Sequence, residues 1–337
     1  MSLSSPGLPA LPRRSGAGGQ AHAAPRTFGA APIVRARQYL FADGRRSILT
    51  WLGLIWLLDG GLQLQSFMYG GGFIAALRSV AVGQPPWVAD SVNWAATRMG
   101  SQQALLNTVS ALLQIAIGLG LLHRRTVKPA LALSFAWSLL VWWFGEGFGM
   151  VLMPMTSPLS GAPGAAFLYL LVGLLVWPGN RAGGLLGVRG ARLAWGALWL
   201  LMAWLWLAAP GTSPNAVAEA INGAPSGAGW LTSVQDWVSG AARGHGLVIG
   251  LTLAAGSAAI AIAVVRNWHA RAFLVLAMVI NMVFWIVGQG FGGILAGGAT
   301  DPNSGPLFVL LACALYALVP VSAEGDDERA PAVLGQG

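Results

Sequence analysis

Two carboxylates stand inside long apolar runs, Asp59 in a run near 48–68 and Glu146 in one near 129–150. At the centre of a bilayer a charge costs at least about 2.5 kcal/mol even on lenient scales, so each acid asks for a reason. No Lys or Arg shares those runs. The polar neighbours on offer are Gln63, Gln65, Asn107, Gln114 and Asn281, all uncharged. Counted along its run, Asp59 comes about 17 Å from the inner end, near the midplane of a core about 30 Å thick. By the same count Glu146 comes at about 27 Å, near the outer surface. A carboxyl at midplane can take up and release a proton or anchor a ligand. One near the outer surface can act as a general acid or base on a lipid. For both, the plain alternative is an interhelical hydrogen bond that fixes packing.

Other chemistry is thinly represented. His123 and His269 flank turns, His245 opens an apolar run and His22 lies near the N-terminus, so no pair of histidines faces across the apolar runs as a membrane haem or a metal would need. The single cysteine, Cys313, makes no disulfide, CxxC pair or thiolate cluster. No metal and no cofactor is expected from the residues.

The elements that must hold these acids are membrane helices. Hydrophobic residues make up 55% of the 337 and charged residues 9%, against about 25% charged in soluble domains. So few charges cannot wet the surface of a chain this long. The sixteen tryptophans fit the boundary between hydrocarbon and water. Eight apolar runs are candidates to cross: 48–68, 104–122, 129–150, 164–178, 193–209, 246–265, 272–293 and 306–321. The fourth and eighth are short for the roughly 20 residues a crossing needs.

Charge orients them. Sixteen of the nineteen basic residues fall in the N-terminal segment, alternate connections and the tail; only Arg78, Arg98 and Arg243 fall on the other side. That asymmetry predicts both termini in the cytoplasm of a cell inner membrane, with anionic headgroups beside the arginines. It also explains the net charge of +8 without nucleic acid. Residues 1–46, rich in Ser, Pro, Gly, Ala and Arg, read as a disordered basic leader, and 321–337 as a disordered tail.

The runs repeat. Shifted by 143 positions, Gly53, Trp56 and Leu58 fall on Gly196, Trp199 and Leu201, Trp87 and Trp94 on Trp230 and Trp237, and Trp142 on Trp285. Gly145-Glu-Gly-Phe-Gly149 falls on Gly288-Gln-Gly-Phe-Gly292, after which Pro163 is expected to match Pro306 and Pro178 to match Pro320. The fold class this predicts is an all-α polytopic bundle of about eight transmembrane helices in two four-helix repeats, 47–178 and 191–320. An even number of spans per repeat makes the two copies parallel. Glu146 becomes Gln289 in the second copy and Asp59 becomes Met202, so any site is asymmetric. The glycine pairs 145/149 and 288/292 have the GxxxG spacing of close helix packing. In each copy a tryptophan pair seven apart predicts a short amphipathic helix at the outer interface, with burial of those tryptophans in the bundle as the alternative.

The four-span unit, with a Gly-rich first helix ending Gly61-Leu-Gln-Leu-Gln65 before a long outer connection, resembles the DoxX/DoxD-like membrane family, once in each half. Trp56-Leu-Leu-Asp59-Gly-Gly-Leu-Gln-Leu-Gln65 together with Trp142-Trp-Phe-Gly-Glu146-Gly is similar to a group of bacterial multi-pass membrane proteins. The resemblance implies a quinone-linked role as a membrane subunit, although no catalytic residue of that family maps onto this chain. Three readings therefore stand: a scaffold or accessory subunit of a membrane redox or envelope complex, a small-solute or proton-coupled transporter using Asp59, and a lipid-modifying enzyme using Glu146. The candidate polar site comprises Asp59, Glu146, Gln289, Gln114 and Asn281.

Overall fold

The computed structural model describes residues 43–154, 156–208 and 213–319, which are helical with no strand among them. Apart from 43–46, the basic leader lies outside the described residues, as does the 321–337 tail. Twelve α-helices follow in order: α1 (Gly44–Leu62), α2 (Gly71–Ser79), α3 (Pro86–Ser101), α4 (Gln103–Leu122), α5 (Val127–Phe144) and α6 (Ala165–Val176), then α7 (Gly187–Ala208), α8 (Ala216–Asn222), α9 (Gly229–Ala242), α10 (Gly246–Arg266), α11 (Ala270–Val287) and α12 (Ser304–Tyr316). Five are long and apolar enough to cross a membrane: α4, α5, α7, α10, and α11 with its extension to Ala296. α1 is 19 residues long but carries Arg45, Arg46 and Asp59.

Local sequence explains the boundaries. The Asp43 side chain accepts from the Arg46 amide at 2.6 Å and starts α1. Pro86 opens α3, where its missing N–H costs nothing. The Asn303 side chain accepts from the Ser304 amide at 2.6 Å and starts α12. The long helices are apolar all round, with one face in the protein and one left for lipid. On α4, for example, Asn107, Ala111, Gln114, Gly118 and Leu121 are buried while Leu105, Val109, Leu112 and Leu119 are exposed.

The six helices before Gly179 and the six after it pack in the same pairs. α1 lies along α4 as α7 lies along α10, α5 along α6 as α11 along α12, and α2 along α3 as α8 along α9. α6 and α12 meet each other and close the centre, with α12 also touching α1. Contacts sort the connections into two ends. Arg45 donates to the Gly179 and Arg181 carbonyls, Arg46 to those of Leu121 and Leu122, and Arg271 to that of Val319, so the basic segments gather at one end. At the other end Gln103 donates to the Met68 and Gly70 carbonyls, and Gln65 to that of Ala299.

Several expectations change. α5 stops at Phe144, so Glu146 lies two residues beyond the helix rather than inside it. The 145–150 segment is not a helix face, and the GxxxG packing reading of its glycines fails. Gly147, Phe148, Gly149 and Met150 have φ of 52°, 59°, 62° and 59°, a full turn of the wrong hand; Gly290, Phe291, Gly292 and Gly293 repeat it at 52°, 56°, 70° and 77°. Glycine is placed there because it adopts positive φ without a Cβ penalty. The prolines register differently too. Trp142 Nε1 donates to the Pro163 carbonyl at 2.9 Å and Trp285 Nε1 to that of Pro302 at 2.6 Å, so Pro302, not Pro306, holds the place of Pro163. The second connection is four residues shorter. α6 and α12 have 12 and 13 residues, giving only about 18 and 20 Å.

The tryptophans divide. Trp87 and Trp94 on α3 and Trp230 and Trp237 on α9 are exposed, with Val88, Val92 and Ala96, or Leu231, Gln235 and Ser239, on the opposite, buried face. The amphipathic pattern is present in both helices, and these four tryptophans are not core. Trp56, Trp195, Trp199 and Trp206 are instead buried in the interior.

Candidate functional site

The first two turns of α6 each engage one of the two acids. Glu146, carried past the end of α5 by the left-handed turn, accepts from the Ala166 amide through Oε1 at 3.0 Å. One helical turn on, Tyr169 donates its hydroxyl to Oδ2 of Asp59 on α1. Ala166 and Tyr169 are three apart and so share a face of α6. Asp59 is 2% exposed. It sits fifteen residues into α1, about 22 Å from its start and nearer the end away from the arginines than the expected midplane.

A third acid enters from the other half. Asp301, in the connection before α12, was not singled out by the sequence, because it lies among Gly, Thr and Pro of an ordinary turn. Its Oδ1 accepts from the Asn303 amide at 2.7 Å and its Oδ2 from the Thr300 hydroxyl at 2.7 Å. The same connection touches the first half through Gln65 Nε2, 2.5 Å from the Ala299 carbonyl. Asp301 acts electrostatically on Asp59, Tyr169 and Glu146 alike. Burial, and then repulsion by Asp301, push the Glu146 carboxyl up to about 8, against the pull of the Ala166 and Ala165 amides. Glu146 is half-buried as a residue, but its Oε2 is shielded and has no partner. Burial also raises Asp301, opposed by Thr300 and Asn303.

The interior around Asp59 leaves several polar atoms without partners, the Trp56 Nε1 donor among them. α1 and α4 run antiparallel in close contact, the Ala111 carbonyl lying 3.0 Å from where a Cβ on Gly60 would stand. Along that seam Asn107 Nδ2 donates to the Gln63 carbonyl at 2.6 Å. Asp59 Oδ1, Gln63 Oε1, Asn107 Oδ1 and Gln114 Oε1 are all buried acceptors with no hydrogen-bond partner. Buried acceptors normally find donors, and those left over mark where a proton, a cation or a donor-rich ligand would be stabilised.

The remaining expected residues sit elsewhere. Gln289 Oε1 accepts from the Gly305 amide at 3.2 Å, doing for α12 what Glu146 does for α6. Asn281 donates to the Ala277 carbonyl of its own helix at 2.9 Å and makes no contact with the acids. Tyr169 was missed by the sequence reading, since a tyrosine within an apolar run looks like core until its partner is known. Its counterpart in the second half is Phe308, which meets Trp199 as Tyr169 meets Trp56. Among the described residues no three His, Cys, Asp or Glu side chains are grouped to hold a metal ion.

The described residues are all-helical, and among them five helices are long and apolar enough to span a membrane. No family model, curated protein or solved structure matches the chain.

Proposed function

We propose that this is a multi-pass protein of the cell inner membrane, built of two parallel four-span repeats with both termini cytoplasmic, and that its first repeat binds and releases protons during transport of a small solute. The supporting observation is a one-sided substitution. Asp59, Gln63, Asn107, Gln114 and Tyr169 correspond to Met202, Trp206, Gly250, Ser257 and Phe308. Met202, Trp206 and Phe308 pack fully buried in the second half, so the fold closes without the polar set. Buried polar groups cost free energy unless satisfied, and four acceptors here are not. A scaffold or quinone-linked accessory role needs packing alone, which Met202 and Phe308 supply in the second half at the places of Asp59 and Tyr169.

In this reading Asp59 carries the exchangeable proton, Tyr169 orients it, and Glu146 and Asp301 line the route from the outer end. The test is proton uptake into proteoliposomes carrying a pH-sensitive dye, driven by an imposed gradient. Asp59→Asn should abolish it while Gln289→Glu leaves it intact. Uptake by Asp59→Asn equal to that of the natural protein would rule the role out.

A further inference from the structure

The two halves differ at the basic end as well. Arg46, at the start of α1, turns inward and donates to the carbonyls of Leu121 and Leu122, the last of α4. α4 needs this, because it ends in an extended His123 with no capping amide of its own. The residue 143 positions later, Arg189, has no such task. α10 closes itself with Asn267 in the left-handed conformation, whose amide reaches the Ala263 and Val264 carbonyls, and the Trp268 amide donates to Ala263 at 2.8 Å.

Arg189 is thereby free to face outward, and Arg192 joins it one turn on. With Val188, Leu193 and Val265 they line a groove between α7 and α10. Neither helix contains an Asp or Glu, and among the described residues neither guanidinium makes an ion pair or hydrogen bond. The Nε of Arg192 is shielded and unpartnered. The apolar wall of the groove continues along α7 and α10 into exposed Leu193, Leu200, Trp204 and Ile262, a surface suited to acyl chains.

We infer that this groove holds the phosphate of an anionic phospholipid, with Arg189 and Arg192 on the headgroup and Leu193 and Val265 against the first carbons of a chain. Guanidinium forks match phosphate oxygens in pairs, and basic pockets between membrane helices suit such headgroups. The inference rests on the membrane reading alone; loss of proton uptake with lipid retention unchanged would leave it standing.

Native mass spectrometry of the full chain in detergent, supplied with phosphatidylglycerol or phosphatidylcholine, tests it. The natural protein should retain phosphatidylglycerol in preference to phosphatidylcholine. Arg189→Gln/Arg192→Gln should bind it about tenfold or more weakly, and Arg78→Gln/Arg98→Gln at the opposite end should not. Equal retention of the two lipids by the natural protein would overturn the proposal even if the double variant failed to fold. So would full retention by that variant. Inorganic phosphate that binds the groove without being displaced by phosphatidylglycerol would mean a soluble phosphate site instead, and would equally overturn it.

Discussion

Tyr169 donates its hydroxyl to Asp59 across 110 positions of sequence, joining α6 to α1 in the interior of the first half. Phe308 and Met202 stand at the matching places of the second half, both buried and both unable to make the bond. The polar pair is therefore an addition to a packing arrangement that works without it.

That comparison predicts the result of converting one half into the other. Asp59→Met/Tyr169→Phe should unfold at the same temperature as the natural protein or higher, because it removes a buried polar pair and an unpartnered oxygen together. Tyr169→Phe alone should be less stable by about 1–3 kcal/mol, since it strands Asp59 Oδ2. Thermal unfolding in detergent measures both, and a double variant weaker than the single would contradict the account.

Glu146 gives a pH dependence with a definite sign. Its folded-state carboxyl titrates at about 8, above its ordinary 4.5, so the folded protein keeps a proton that the unfolded chain has already lost. The stabilising contribution is complete below about pH 4.5, declines as pH rises through 8 and is flat above. Glu146→Gln, which installs the residue found at Gln289, should remove that slope. Unfolding temperatures of the two proteins between pH 5 and 9 should converge at the acid end and separate at the alkaline end, with the variant the more stable.

Glycine replacements should act in opposite directions in the left-handed turns and inside the helices. Gly149 has φ of 62° and its backbone lies against Pro163 and Gly164, so Gly149→Ala should cost about 1–3 kcal/mol. Gly256, within α10, faces open space, and Gly256→Ala should gain about 0.5–1 kcal/mol. Chemical denaturation of each variant would show it.

Arg46 and Arg189 should also part company in stability. Arg46→Gln strips donors from two helix-terminal carbonyls and is expected to cost about 1.5–3 kcal/mol, whereas Arg189→Gln should change unfolding little. Equal losses would mean that Arg189 has a structural partner after all.

The helical class was legible in sequence, as were five of the eight apolar runs as helices long enough to cross a membrane and the gathering of arginines at one end, because composition and charge asymmetry act over whole segments. So were Asp59 and Glu146, as charges where charges are costly. That both are tied to α6 was not, since it depends on a turn of reversed hand at 147–150 that moves Glu146 off α5 onto the start of α6. Tyr169 was hidden by its apolar neighbours, and Asp301 by its turn. The register error of four residues had the same origin: only Trp142 and Trp285, each reaching a proline carbonyl, reveal which proline matches which.

The brevity of α6 and α12 bears on how water meets this protein. Rods of about 18 and 20 Å leave roughly 10 Å of a hydrocarbon slab of about 30 Å unspanned. In the membrane reading proposed above, the bilayer must thin to meet these short helices, which would bring water nearer to Asp59 and Tyr169 than a bundle of full-length helices would.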